Sequence, residues 1–236
     1  MSLALTGFGV RPGAGRMPFL ASGAVEVRLR TRVTFLAGEN GCGKTTLLSA
    51  VAGRCGFRPG GGAGHAQTDG EREEAHGAAF VRVDLAGRRP PPGMLIRADS
   101  LREAAAAAGT VRMPHSGEWR RADEQSRGEG MLPLLDACVE PSEPTLLLLD
   151  EPETGLSPNR QMSLLCLLAH LRRGLGQALV ATHSPILLSL PGADILWIDE
   201  DGIRVRPLEE TGHWRAMRRF MADPGSAVRS LLGGED

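Results

Sequence analysis

An α/β fold is what this sequence predicts: a mostly parallel sheet flanked by helices, with a small antiparallel β-subdomain near the N-terminus. Three observations predict it. Val33-Thr34-Phe35-Leu36-Ala37 and Leu146-Leu147-Leu148-Leu149 are nearly unbroken apolar runs of strand length, the pattern of strands covered on both faces. Each run is followed closely by a helix signal, the stretch 46–52 after the first and Ser157-Pro158 after the second. Ala24-Val25-Glu26-Val27-Arg28-Leu29-Arg30 instead alternates strictly, as a strand with one exposed face does. A chain of 236 residues is long enough for one buried core, and residues 1–236 read as a single domain.

Taken in order, Leu3 to Val10 is the first strand, and the loop Arg11-Pro12-Gly13-Ala14-Gly15 separates it from the alternating strand. Phe8 and Phe19 stand ahead of the next loop and are candidates for stacking on a flat ring, although packing in the core is the commoner fate of such residues. Gly38-Glu39-Asn40-Gly41-Cys42-Gly43-Lys44-Thr45 then joins the apolar run at 33–37 to a helix beginning around Thr46. This is G-x-x-x-x-G-K-[ST] with a strand before it and a helix after it, the context that gives the motif its meaning. The glycines let successive backbone N–H groups curl around phosphate oxygens, and the helix start adds partial positive charge. Lys44 is placed to reach the β- and γ-phosphates, and the Thr45 hydroxyl to ligate Mg²⁺. The motif implies binding of a nucleoside triphosphate.

The helix should stop between Gly53 and Gly56. Residues 59–79 are glycine-rich and read as a flexible surface loop, where His65 and His76 lack partners at metal-ligand spacing. Phe80 to Leu85 and Met94 to Arg97 read as strands around a proline-rich loop. Asp99 or Ser100 caps a short helix through the alanine run 104–108, and residues 110–124 carry no clear pattern. Ser126-Arg127-Gly128-Glu129-Gly130 precedes the apolar stretch from Met131 to Val139, a serine and glycine before a helix that can bind an anion or simply cap the helix.

The apolar strand at 145–149 ends in Asp150-Glu151-Pro152, and open α/β sheets bind ligands at that end of their strands. Asp150 suits the Mg²⁺ side of the site, and Glu151 suits orienting a water for attack on the γ-phosphate. The helix opened by Ser157-Pro158 carries leucines at 164, 165, 167, 168 and 171 and closes near Arg172, Arg173 and Gly174. Gln177 to Thr182 is a further buried strand, ending in His183-Ser184-Pro185. A lone histidine is usually structural, but at a strand end beside these other groups His183 reads as facing the ligand. Residues 195–206 form a hairpin about the Glu200-Asp201-Gly202 turn. Residues 211–232 read as two basic amphipathic helices split at Pro224, with His213, Arg215, Arg218 and Arg219 on a solvated face.

A net charge of −1 provides no basic footprint for nucleic acid, and no stretch approaches the ~20 apolar residues of a membrane span. The N-terminus lacks the pattern of a secretory signal. Cys42, Cys55, Cys138 and Cys166 are scattered without a C-x-x-C, which points to reduced thiols in a cytoplasmic protein.

The order phosphate loop, Ser-x-Gly-Glu, apolar strand with Asp-Glu-Pro, and strand ending in Thr-His-Ser resembles the ABC-type ATPases over most of the chain. It is most similar to their small stand-alone members, filed with the AAA-type predicted ATPases. The phrases that carry the resemblance are Phe35 to Thr45, Glu124 to Glu129, Leu149 to Glu153 through Leu156-Ser157-Pro158, and Ala181 to Pro185. The resemblance implies a P-loop fold of ABC type that binds ATP and Mg²⁺. Gly38 to Thr46 would be the Walker A segment, Asp150 the Walker B aspartate, Glu151 the catalytic base and His183 the switch histidine. Ser126, Gly128 and Glu129 would form a signature capping the γ-phosphate held by a partner subunit, so that ATP drives homodimerisation.

Arg127 and Glu129 depart from the transporter signature and lean toward the repair, SMC and defence branch. The glutamine expected between phosphate loop and signature is either Gln67 or is replaced within Arg97-Ala98-Asp99-Ser100. The interval from Lys44 to Ser126 leaves no room for long coiled-coil arms. The reading is therefore an ATPase acting on an unidentified protein or nucleic-acid client, in genome maintenance or phage defence. The alternatives are a nucleotide-binding subunit of an ABC transporter and a P-loop kinase for a small molecule.

Overall fold

A computed structural model of the chain describes residues 3–11, 18–20, 23–57, 78–97 and 144–232. Two sheets form from the strand signals above. Leu5–Val10 (β1), Val25–Arg28 (β2) and Val81–Leu85 (β4) make an antiparallel sheet in the order β2-β1-β4. Val33–Ala37 (β3), Gly93–Arg97 (β5), Leu146–Asp150 (β6), Gln177–Ala181 (β7), Asp194–Asp199 (β8) and Gly202–Val205 (β9) make a second sheet, in the order β5-β6-β7-β3-β8-β9. All neighbours in it are parallel except β8 and β9, which form the hairpin.

The apolar runs are long because both faces of this sheet are covered. Side chains alternate across a strand. Leu146 and Leu148 therefore join Leu36, Leu179, Leu196 and Ile198 on one face, against the helix Lys44–Arg54 (α1) and the antiparallel sheet. Leu147 and Leu149 join Phe35, Val180 and Trp197 on the other, against Leu164, Leu168 and Leu171 of the helix Pro158–Arg173 (α2). The alternating strand β2 keeps one buried side chain, Val27, between exposed Glu26 and Arg28, as a one-sided strand should.

Of the helix signals on described residues, the one after the phosphate loop opens at Lys44, two residues earlier than the pattern suggested, and the Ser157-Pro158 start holds. Ser157 caps α2 by accepting from the Arg160 N–H, with Pro158 as the first helical residue. Ser184 and Pro185 repeat that arrangement in a short helix, Pro185–Leu188 (α3), which the sequence reading did not separate from its strand. Helices Gly212–Ala222 (α4) and Pro224–Leu231 (α5) meet at Pro224. Neither contains a fully buried residue, and Met217, Phe220, Met221, Val228, Leu231 and Leu232 are exposed along them.

Phe8 and Phe19 are both fully buried in the core shared by the antiparallel sheet and α1. Neither ring presents a face to the phosphate loop's cleft, so stacking on a base is not their role. The apolar underside of the antiparallel sheet needs large side chains to fill it, and these two supply them. The 59–79 loop beyond Phe57 and before Ala78, the Ala98–Ser100 stretch, the 104–108 helix and the Ser126–Val139 segment lie outside the described residues.

One buried side chain stitches the two sheets together. The Gln177 amide, 2% exposed at the start of β7, donates to the Leu5 carbonyl at 2.7 Å and accepts from the Leu5 N–H at 2.9 Å. Leu5 lies where the register of β1 against β4 shifts, so the glutamine completes what the ladder leaves open. Gln177→Leu strands a buried donor and a buried acceptor at ~1–3 kcal/mol each. The expected loss of stability is ~2 kcal/mol or more, read as a lower urea midpoint at unchanged denaturant slope. An unshifted midpoint would show that the two sheets are held together by packing alone.

Candidate functional site

Parallel pairing sets the site. Because β5, β6, β7 and β3 run the same way in tight register, Arg97 lies opposite Asp150, Asp150 opposite Ala181, and Ala181 opposite Leu36. Four strands thus deliver their C-terminal ends to one edge of the sheet. The turns beyond them are tied to each other, since the Glu151 N–H donates to Ala181 O at 2.9 Å and the Thr182 N–H to Leu36 O at 3.1 Å.

The phosphate loop leaves β3 at Gly38. A Cβ there would stand 2.3 Å from the Ile198 carbonyl oxygen and 2.8 Å from Cys42 Sγ, so only glycine fits. Gly43 caps α1 in the left-handed region at φ 101 and contributes no side chain, leaving the first-turn N–H groups directed at the loop. Lys44 is 5% exposed and folds back over the loop, with Nζ donating to Gly38 O at 2.9 Å and Glu39 O at 3.0 Å. The loop therefore holds its ammonium at its own mouth. A cleft of about 450 Å³ opens beside it, lined by Pro18, Asn40, Gly41, Cys42 and the Asp199–Asp201 turn.

Thr45 and Asp150 meet as expected. The hydroxyl of Thr45 donates to Asp150 Oδ1 at 3.0 Å, and Arg97 Nε lies 3.8 Å from Oδ2. A hydroxyl beside a carboxylate is an all-oxygen donor set that fits a hard cation such as Mg²⁺. Thr46 follows on the exposed side of the first turn of α1. Of the two candidates for the expected glutamine, the stretch 97–100 is described only at Arg97, which stands beside Asp150, and Gln67 lies outside the described residues.

Glu151 has φ 47, the one positive φ at a residue other than glycine among the described residues. A left-handed conformation at such a residue costs ~1–3 kcal/mol and persists where surrounding contacts over-determine it. Here it turns the carboxylate out of the sheet, half exposed, to within 3.7 Å of His183 Nε2. Ser126, Gly128 and Glu129, the expected signature, lie outside the described residues.

Two groups escaped the sequence reading. Glu153 Oε1 accepts from the backbone N–H groups of His183 at 2.7 Å and Ser184 at 3.2 Å, while Oε2 is buried without a hydrogen-bond partner. It anchors the turn that presents His183. Burial pushes its carboxyl above the usual carboxylate range, against hydrogen bonds from Thr182 and His183. The only signal was an acid two positions beyond Glu151, in a loop where an exposed acid is ordinary.

The second is His213, which is not on a solvated face. Its Nε2 lies 3.3 Å from His183 Nδ1, and its ring packs 5.5 Å from that of Trp197. The α4 pattern placed it beside the arginines, but it sits in the first turn, where the helix abuts the site. Burial, with the charge of Lys44, holds both histidines below their usual range, against Glu39 and, at His183, Glu151.

A family model described as "AAA domain, putative AbiEii toxin, Type IV TA system" matches residues 113–189. The chain is 30% identical over 172 residues to the ferric enterobactin transport ATP-binding protein FepC of Escherichia coli (strain K12), a match covering 63% of this chain and 60% of that relative's length. It is 31% identical over 191 residues to the zinc import ATP-binding protein ZnuC of Cereibacter sphaeroides, covering 76% of this chain and 72% of the relative. A solved ATP-binding cassette of an ABC transporter superposes with a TM-score of 0.53 at 15% identity, over 94% of this chain and 97% of that one. At that identity the likeness is one of fold.

Glu153 yields a pH prediction. A carboxyl whose folded pKa is raised has its native state holding the proton longer than the unfolded chain, so its contribution is lost as pH rises through the folded value. Relative to Glu153→Gln, the wild type should therefore lose stability as pH climbs from its ordinary value of 4.5 toward neutrality. The glutamine keeps the oxygen that accepts from His183 and Ser184, and any fixed cost of its amide cancels in the comparison. Urea midpoints for the two proteins across that range provide the measurement. Parallel curves would show that burial does not perturb Glu153.

Proposed function

The chain belongs to the ABC-type ATP-binding proteins, and from that premise we propose that it hydrolyses ATP to ADP and phosphate at a site completed by nucleotide-driven homodimerisation. The observation that carries this reading is the meeting, at one sheet edge, of the Lys44 loop, the Thr45–Asp150 pair and a strained Glu151 facing His183.

Gly38, Glu39, Asn40, Gly41, Cys42 and Gly43 line the phosphates through the backbone, and Lys44 neutralises the β- and γ-phosphates. Thr45 and Asp150 would hold Mg²⁺, which would supply positive charge to offset that of the phosphates. Glu151 orients the attacking water and accepts its proton. His183 presents Nε2 beside that carboxylate, where it would face the terminal phosphate. Ser126, Gly128 and Glu129 cap the γ-phosphate of the opposing chain, so each site draws on two subunits. ATP is then the glue of the dimer, and hydrolysis releases it.

The client is a protein or nucleic acid, and the setting is cytoplasmic genome maintenance or phage defence. Support comes from the family model over residues 113–189, which is described as a toxin-system domain, and from the departure of Arg127 and Glu129 from the transporter signature. No helix among the described residues is long and apolar enough to cross a membrane. A second reading, the nucleotide-binding subunit of a transporter, draws on the names of both relatives. Co-purification with a membrane-spanning subunit would establish it. Release of free phosphate with no added acceptor separates both readings from a P-loop kinase.

Glu151→Gln tests the mechanism. Glutamine keeps the size and hydrogen-bonding shape of the side chain but cannot take a proton from water. ATP binding should survive while turnover falls by ~10²-fold or more. With hydrolysis stalled, Mg-ATP should convert this variant from monomer to a long-lived dimer in light scattering, and ADP should not. Adding Ser126→Arg should abolish the dimer without weakening binding to the monomer. A Glu151→Gln protein that stays monomeric in saturating Mg-ATP contradicts the trans-signature mechanism.

A further inference from the structure

We propose that His213 is a positioning residue that fixes which ring nitrogen of His183 carries the proton, donating from its Nε2 to His183 Nδ1 and so leaving the N–H on His183 Nε2. The inference rests on the reading that His183 faces the terminal phosphate beside Glu151. It concerns a residue on a helix that contributes nothing else to the site.

Two imidazole nitrogens 3.3 Å apart form a hydrogen bond only when one carries a proton and the other a lone pair. Two arrangements satisfy this, and the end that faces Glu151 tells them apart. If His183 donated from Nδ1, its bare Nε2 would turn a lone pair toward Glu151 Oε1, 3.7 Å away. With His213 donating instead, His183 turns an N–H toward the Glu151 carboxylate, and that end selects the second arrangement. The buried His213 Nδ1 lacks a hydrogen-bond partner among the described residues in either arrangement and does not separate them.

The fold holds the donor in place. Thr211, fully buried, donates from Oγ1 to Leu208 O at 2.7 Å and accepts from the Trp214 N–H at 3.4 Å, fixing the first turn of α4. The His213 ring lies edge-on to His183, with centroids 5.0 Å apart, and is backed by Trp197 on β8. The charged groups that bear on the pair are Lys44 and Glu39 of the phosphate loop and Glu151 beyond β6. Burial first, and Lys44 with it, keeps both rings neutral near pH 7, the state in which a tautomer has meaning. A neutral switch histidine with its proton on Nε2 donates to the terminal phosphate, whereas the other tautomer presents a lone pair to an anion.

The test is ¹⁵N-histidine NMR of the full chain without nucleotide, with the His183 signal identified by its loss in His183→Asn. The wild type should show His183 protonated on Nε2; protonation on Nδ1 overturns the proposal at once. His213→Phe keeps a ring against Trp197 but removes the donor, and should drive His183 to a tautomer mixture. His213→Gln, whose amide N–H stands near the lost Nε2, should restore the Nε2 proton. In steady-state assays kcat should fall by ~10-fold or more in His213→Phe with KM for ATP within ~2-fold, and should largely recover in His213→Gln. A His183 tautomer indifferent to His213→Phe refutes the inference. A tautomer that responds in a chain lacking ATP turnover upholds it while refuting the ATPase reading.

Discussion

The hydrogen bond from Thr45 to Asp150 is the contact on which the site's arrangement depends. Asp150 ends a strand of leucines and is 6% exposed, so its carboxylate is desolvated and needs partners. The Thr45 hydroxyl, 3.0 Å away, supplies one, and the Arg97 guanidinium approaches from the next strand end. Meeting that demand draws the first turn of α1 over β6, although β6 and β3 are not neighbours in the sheet. The distance between Lys44, the proposed phosphate contact, and Asp150, the proposed cation ligand, follows from it.

Polar groups elsewhere in the site answer to the same rule. The turn after β7 runs between buried strands, and Glu153 satisfies its backbone by accepting from both His183 and Ser184. The arrangement holds a carboxyl where burial opposes its charge and leaves one of its oxygens unpartnered. Glu151, one residue past β6, takes a backbone conformation that most residues avoid. Strain and imperfect solvation thus gather around the group assigned the water-activating role, while the leucine layers on either side supply the stability that tolerates them.

What was legible in the sequence was what local pattern encodes. The phosphate loop, the Asp150 strand end, the Ser157-Pro158 start and the 195–206 hairpin each depend on neighbours a few residues away, and the fold class follows from strands apolar on both faces. Gln177, Glu153 and His213 were not legible, because each acts on a partner distant in the chain. Gln177 reaches Leu5, and His213 reaches His183 across the whole β8–β9 hairpin. A polar residue at the start of a buried strand, or a histidine among arginines on an amphipathic helix, carries no local mark of such a contact. Phe8 and Phe19 took the commoner of their two readings, the core, which the sequence could not separate from stacking because an aromatic near a phosphate loop reads alike whether it faces a base or the core.

The proposed site joins the Lys44 loop and the Thr45–Asp150 pair around a single Mg-ATP. Calorimetric titration of the wild type and Lys44→Ala with Mg-ATP, with circular dichroism showing that both are folded, puts this to the test. One nucleotide should bind per chain in the wild type, with an affinity at least ~10-fold weaker in Lys44→Ala, since a hydrogen-bonded charge against the phosphates is lost. Equal affinity in the two proteins would place the nucleotide elsewhere on the molecule.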